Sequence, residues 1–121
     1  MSDLFGEIIL DEAKNPANFG ELAQADLKET SYNASCGDLI KVTIKLNSDK
    51  TKVENIKWTG EGCTISVAAM SLLSQKLIGV ELSKIKKMTT QDMLDLLEIE
   101  TISTGRLKCL LIGLSGVQKS I

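Results

Sequence analysis

Three cysteines and one carboxylate carry the chemistry this sequence offers, and there is no histidine anywhere in it. Cys36 stands in Ser35-Cys36-Gly37-Asp38, Cys63 in Gly60-Glu61-Gly62-Cys63, and Cys109 in Arg106-Leu107-Lys108-Cys109. Three thiolates and Asp38 make four potential ligands, the number a tetrahedral zinc or iron site takes. Without histidine the usual general acid–base group and the commonest imidazole ligand are both missing. The chemistry expected is therefore sulfur chemistry.

Cys63 has the strongest local argument for reactivity. Gly60 and Gly62 permit a tight strand-to-helix turn that sets the thiol at the start of a helix, where unpaired N–H groups favour a thiolate. Asp38 follows Cys36 by two residues, so a turn at Gly37 would aim both groups into one small volume. Lys108 beside Cys109 favours a thiolate there, or holds a sulfur-rich anion. Each residue also has a plainer reading. Cys109, followed by Leu110 and Leu111, has the surroundings of a small buried hydrophobe, and Asp38 alone would pass for a turn residue. The spacing of the cysteines matches no zinc-finger pattern.

The elements that must position these groups are legible from periodicity. Residues 3–14 carry Leu4, Ile8, Ile9 and Ala13 on one helical face, and Asn15-Pro16 stops that helix. A loop follows to Ala25, and residues 27–33 form a polar strand suited to a sheet edge. Ile40, Val42, Ile44 and Leu46 alternate with polar residues as in a strand buried on one face. Asn47-Ser48-Asp49-Lys50 has turn composition. Val53 to Thr59 returns antiparallel, with Ile56 and Trp58 in one phase and Val53 out of it, as a bulge would produce. After Gly62 the period becomes helical through Ile65, Ala68, Ala69, Leu72, Leu73 and Leu77, and Val67 and Met70 widen the apolar face. A short helix over Glu81–Met88 follows, then one capped by Thr89-Thr90-Gln91-Asp92. A last helix runs from about Arg106 to Ser120, weakened by Gly113 and Gly116. Strands first and helices afterwards predict an α+β fold: a small three-stranded antiparallel sheet with helices packed on one face.

Composition removes several function classes. The chain has 121 residues, 43% hydrophobic and 25% charged, which is the size of one domain able to bury a core without disulfides. Net charge is −2 and Arg106 is the sole arginine, so nucleic acid is not an expected partner. Aromatic residues are scarce, leaving no platform for base stacking. Lys84, Lys86 and Lys87 read as solvated surface. No apolar run is long enough to span a membrane, and the acidic N-terminal stretch resembles neither a secretory signal nor an organelle presequence. An odd cysteine count fits a reducing compartment, so the expected location is cytoplasmic.

At its motifs the chain resembles the IscU/NifU-type iron–sulfur cluster assembly scaffolds, with features of the SufU-like branch. The residues concerned are Lys14-Asn15-Pro16 with Asn18 and Gly20, Cys36-Gly37-Asp38 opening a strand, Gly60-Glu61-Gly62-Cys63-Thr64-Ile65-Ser66 opening the long helix, and Leu107-Lys108-Cys109. The resemblance implies a single scaffold domain over residues 1–121 with the SufE/NifU-like fold. It also implies that Cys36, Asp38, Cys63 and Cys109 converge as ligands of a metal ion or cluster. Two departures matter. IscU-type scaffolds have histidine where this chain has Lys108, as the SufU-like branch does. They also carry a proline-rich chaperone-docking motif where this chain has Ile102-Ser103-Thr104-Gly105-Arg106, so a dedicated Hsp70 chaperone is not expected. The segment between Met88 and Cys109 is also too short for the insertion usual in the SufU-like branch.

The resemblance implies a scaffold more readily than an enzyme. A [2Fe–2S] cluster would be built on it from iron and sulfur delivered by a cysteine desulfurase, then passed to apo iron–sulfur acceptor proteins. Three thiolates and one hard carboxylate suit such a cargo, held well enough to assemble and loosely enough to release. The alternative is a zinc-bound, SufU-like sulfurtransferase that accepts persulfide sulfur, with Cys36 or Cys109 as acceptor. A purely structural zinc domain is the third reading, and the least needed, because a chain of this size folds without metal.

Overall fold

The structure, a computed structural model, describes residues 6–34 and 37–121. In chain order it comprises α1 (Gly6–Lys14), β1 (Leu27–Asn33), β2 (Asp38–Leu46), β3 (Val53–Glu61), α2 (Thr64–Leu77), α3 (Leu82–Lys86), α4 (Thr90–Leu97) and α5 (Thr104–Ser120). The three strands form an antiparallel sheet in the order β1-β2-β3. This is the α+β architecture that the order of elements predicts. Leu4, expected on the first helix, falls outside the described residues.

Alternation in β2 decides which face is buried. Asp38, Ile40, Val42, Ile44 and Leu46 point one way and are all buried, opposite Trp58 and Ile56 of β3. The helices α2 and α5 pack on this face, α1 and α4 pack on α2, and the core is almost entirely aliphatic apart from Trp58. The phase error at Val53 has its cause in a register shift: Lys45 pairs with Asn55, but Leu46 pairs with Val53. The extra residue turns Val53 back to the core, where it is 1% exposed. The capping box of α4 forms as its sequence specifies, with the Thr89 side chain accepting from the Asp92 N–H and the Asp92 carboxylate accepting from the Thr89 N–H.

The loop after α1 is more than a connection. Trp58 donates its backbone N–H to Asn18 O and its indole N–H to Ala17 O, and Gly20 N–H returns to Trp58 O. The outer edge of β3 is thus closed at its centre by residues 17–20. At its start it is closed by Val53 N–H bonding Val80 O and Gly79 N–H bonding Val53 O. From there the chain crosses the outer face, where Leu22 N–H bonds the Thr43 hydroxyl, to reach β1. Serines of α2 tie the loop to the helices. The Ser71 hydroxyl accepts from Ala17 N–H and donates to Glu12 of α1, and the Ser74 hydroxyl accepts from the Asn18 amide. Lys84, Lys86 and Lys87 are exposed, and Lys84 pairs with Glu81 at 3.8 Å.

Gly113 and Gly116 do not break α5, which runs unbroken through both. They are the points of closest approach. A β-carbon at 113 would lie 2.5 Å from Met70 Sδ on α2, and one at 116 would lie 2.5 Å from Ser31 Oγ on β1. The helix-propensity loss at each glycine is therefore the condition for seating α5 against both layers. A contrast within one helix tests this. Gly105 faces open space, so Gly105→Ala should raise stability by about 0.5–1 kcal/mol. Gly113→Ala should instead lower it by roughly 1–3 kcal/mol through overpacking. Chemical denaturation of the two variants measures the difference, and equal gains would refute the packing role.

Candidate metal centre

The first residue of β2, the residue capping α2 and a residue in the second turn of α5 meet at one end of the sheet. One carboxylate oxygen of Asp38 and the sulfurs of Cys63 and Cys109 all lie within 4.8 Å of one another. Neither of these cysteines is in a disulfide. Three of the four residues singled out in the sequence are thus together, although they are far apart along the chain. Cys36 falls outside the described residues.

Asp38 sits here because strand alternation puts it on the core face, and it is fully buried. Its two oxygens differ. Oδ1 accepts the Cys63 backbone N–H at 3.1 Å and the Ser66 hydroxyl at 3.3 Å. Oδ2 is buried and has no hydrogen-bond partner. A buried, unpartnered carboxylate oxygen is costly, and an ion shared with the neighbouring sulfurs relieves that cost. The donor set fits a thiophilic cation: two thiols and one oxygen at ligand spacing, with room in the coordination number for a fourth donor. Gly62 makes the arrangement possible. A β-carbon at that position would overlap both Asp38 Oδ1 and Ser66 Oγ, so only glycine lets the turn pass over the carboxylate.

Cys63 is the N-cap of α2, in an extended conformation at φ −75°, ψ 169°. Burial pushes its thiol up, but hydrogen bonds from the Ser66 N–H, the Cys109 thiol, the Ser66 hydroxyl and the Ile65 N–H outweigh it. Together they hold the thiol below its ordinary value of 9.0. Its half-buried position at a glycine turn leaves it reachable from solvent.

Cys109 takes the plainer of its two readings. Lys108 is exposed, but Cys109 itself is 1% exposed and packed in the core beside Leu110. Of the two described sulfurs Cys63 is the more accessible, although Lys108 next to Cys109 is exposed. The reason is helix phase: Lys108 and Cys109 are about 100° apart on α5, and only one of them can face solvent. The Cys109 thiol donates to Cys63, which makes the pair one hydrogen-bonded unit.

Ser66 is the residue whose part at the site the sequence left unread. It lies inside the motif that opens α2, and its i+3 spacing from Cys63 in a first helical turn is the signal that places it on the same side. A groove of about 630 Å³ between β1 and α5 runs beside the site, lined by Tyr32, Ala34, Leu107 and Lys108. None of Asp38, Cys63 and Cys109 lines it. No helix among the described residues is long and apolar enough to cross a membrane.

With that geometry in view, comparisons with known proteins agree with one another. The family profile described as the NifU-like N-terminal domain matches residues 4–121. The zinc-dependent sulfurtransferase SufU of Bacillus subtilis is 30% identical over 137 aligned positions, covering 100% of this chain and 91% of that protein. That alignment is longer than the chain, as extra residues in the relative require. The iron–sulfur cluster assembly scaffold protein IscU of Aquifex aeolicus is 27% identical, covering 100% of this chain and 76% of that protein. A solved structure from Fervidobacterium islandicum, described as a SUF-system cluster assembly scaffold, superposes with a TM-score of 0.79 at 23% identity. It covers 96% of this chain and 95% of its own.

The hydrogen bonds at Cys63 predict a pH signature in the reduced, metal-free protein. A thiol whose native pKa is lowered binds fewer protons folded than unfolded between the native pKa and 9.0. Stability therefore rises with pH through that window, and the contribution disappears as pH falls below the native pKa. Cys63→Ser should flatten the rise in the denaturation midpoint. Mapping alkylation by mass spectrometry should show Cys63 modified at a lower pH than Cys109, and the opposite order would contradict the assignment.

Proposed function

This chain belongs to the NifU-like N-terminal domain family, and from that premise we propose that it is an iron–sulfur cluster assembly scaffold. One observation carries the reading: a buried Asp38 carboxylate, one oxygen of which has no hydrogen-bond partner, lies at ligand spacing from the sulfurs of Cys63 and Cys109. Asp38, Cys63 and Cys109 would hold the cargo, and Cys36, which stands in sequence between Ala34 and Gly37, would complete the set. Thiolates bind a [2Fe–2S] cluster firmly, and a hard carboxylate oxygen is the weaker partner in so soft a site. The mixed set suits a cargo that must leave as well as form.

In this reading the whole domain, residues 1–121, works with two partners, a cysteine desulfurase and an apo acceptor protein, in the cytoplasm. Sulfur arrives by thiol–persulfide exchange. A thiolate of this chain attacks the outer sulfur of the donor's persulfide, a new S–S bond forms, the donor's S–S bond breaks, and the donor cysteine leaves as thiolate. Reducing that sulfur to sulfide takes electrons from a reductant outside this chain. Cys36 and Cys109 are the proposed acceptors. For Cys109, burial means that the N-terminal part of α5 must move to admit the donor, which is reasonable for a sulfur one residue from the exposed Lys108.

The second reading is a zinc-bound sulfurtransferase. Lys108 and the full-length similarity to a zinc-dependent SufU favour it. There the same four residues close a tetrahedral zinc site, and one thiolate leaves the metal to take sulfur.

Two measurements separate these readings. After anaerobic reconstitution, Asp38→Ala should lengthen the lifetime of the visible cluster absorbance, because the weak ligand that promotes release is gone. Faster decay than wild type would show the carboxylate to be a required ligand. Under the zinc reading the same variant lowers zinc affinity. Secondly, mixing the chain with its desulfurase and cysteine, without iron, should yield a persulfide on Cys36 or Cys109 by mass spectrometry. Zinc removal should depress that labelling only if the protein is a sulfurtransferase. No persulfide on any cysteine, with or without metal, would eliminate direct sulfur acceptance.

A further inference from the structure

The two oxygens of Asp38 are treated so unequally that their difference has to be built by something. Oδ1 has two donors, the Cys63 N–H at 3.1 Å and the Ser66 hydroxyl at 3.3 Å. Oδ2 has none. Gly62 passes over Oδ1 and Ser66 Oγ with no space for a β-carbon, so the turn itself keeps these groups together. Ser66 is fully buried, and its oxygen also lies 3.7 Å from Cys63 Sγ. Its hydroxyl thus contacts both the carboxylate and a sulfur of the site without being a ligand candidate itself.

We propose that Ser66 is a positioning residue that makes Asp38 a one-oxygen ligand. Its hydroxyl, with the Cys63 N–H, occupies Oδ1, and Oδ2 alone is presented to an ion shared with Cys63 and Cys109. This inference rests on the metal-centre reading above. Its consequence is coordination number. A carboxylate with both oxygens free can bind through both and carry a site past four ligands, whereas a carboxylate held by one oxygen keeps the site tetrahedral.

A purely structural role is the competing account. Ser66 Oγ is 2.9 Å from the Cys63 carbonyl, which is the i−3 contact that helix serines commonly make to their own backbone. One hydroxyl hydrogen serves one acceptor at a time. The same helix supplies a control: Ser74 is equally buried, contacts the Ser71 carbonyl at 2.7 Å in the same way, and has no part in the site.

The test is a titration of the reduced, metal-free full chain with cobalt(II) alone, followed by displacement with zinc(II), and a thermal midpoint of each metal-free protein. Wild type should bind one cobalt ion with thiolate charge-transfer bands and intense tetrahedral ligand-field bands. Ser66→Ala removes a single oxygen and introduces a better helix former, so the fold is retained. It should weaken metal binding roughly tenfold to a hundredfold, as loss of an outer hydrogen bond to a metal ligand does. It should also reduce the ligand-field intensity as a fifth donor enters. Ser74→Ala should lower the thermal midpoint while leaving the cobalt spectrum and affinity at wild-type values. Wild-type spectrum and affinity in Ser66→Ala would overturn the role of Ser66 and leave the metal centre standing. Absence of thiolate–cobalt bands in wild type would remove the metal centre, and the role of Ser66 with it.

Discussion

The end of the sheet is organised around one carboxylate that strand alternation forces into the core. Asp38 opens β2 on the same face as Ile40, Val42 and Ile44, so its burial follows from the register that buries the rest of the strand. A carboxylate in that position needs donors, and the turn from β3 into α2 provides them: the backbone N–H of Cys63 and the hydroxyl of Ser66. The same turn requires glycine at 62, because any side chain would occupy the volume of the carboxylate. Satisfying Asp38 thus brings Cys63 to its side and fixes the start of α2. Only one oxygen is satisfied by hydrogen bonds; the other is buried without a partner.

Rigidity around this point comes from how the remaining elements are locked. Trp58 is fully buried and bonded through both its backbone and its indole to the loop over residues 17–20, with Phe19 stacked edge-on at 5.0 Å. That closes one edge of the sheet and joins it, through Ser71 and Ser74, to α2 and α1. On the other side, α5 approaches closely enough at Gly113 and Gly116 to leave no gap against Met70 and Ser31. Held at those two points, the resting helix presents Cys109 from one direction. A pre-positioned ligand set loses little conformational entropy on binding an ion, which is where rigid supporting elements matter most.

The two described thiols divide their properties. Cys63 is half-buried and favours the thiolate because helix N–H groups point at it; Cys109 is in the core and hydrogen-bonded to Cys63. Thiols bind a cation as thiolates, so binding at this pair would release protons and strengthen with pH. Lys108 adds an exposed positive charge one residue away, without being part of the ligand set.

The elements were written in local pattern. Period two over Ile40–Leu46, the change to period 3.6 after Gly62 and the capping box at Thr89 each depend on neighbours in sequence, so each was readable there. Even the bulge at Val53 showed as a phase error. The motif residues marked Asp38, Cys63 and Cys109, the groups that meet at one end of the sheet. What the sequence could not settle were relations between elements. It presented Gly113 and Gly116 as weaknesses in a helix, because their value lies in Met70 and Ser31, which are distant along the chain. It left Cys109 between a thiolate favoured by Lys108 and a small buried hydrophobe, because helix phase against the core is fixed only when α5 docks. It gave Ser66 no role, because a buried hydroxyl acquires one only from the group it faces. Local periodicity is a property of consecutive residues; burial, close approach and which oxygen of Asp38 is left open are properties of packing, and only tertiary structure decides them.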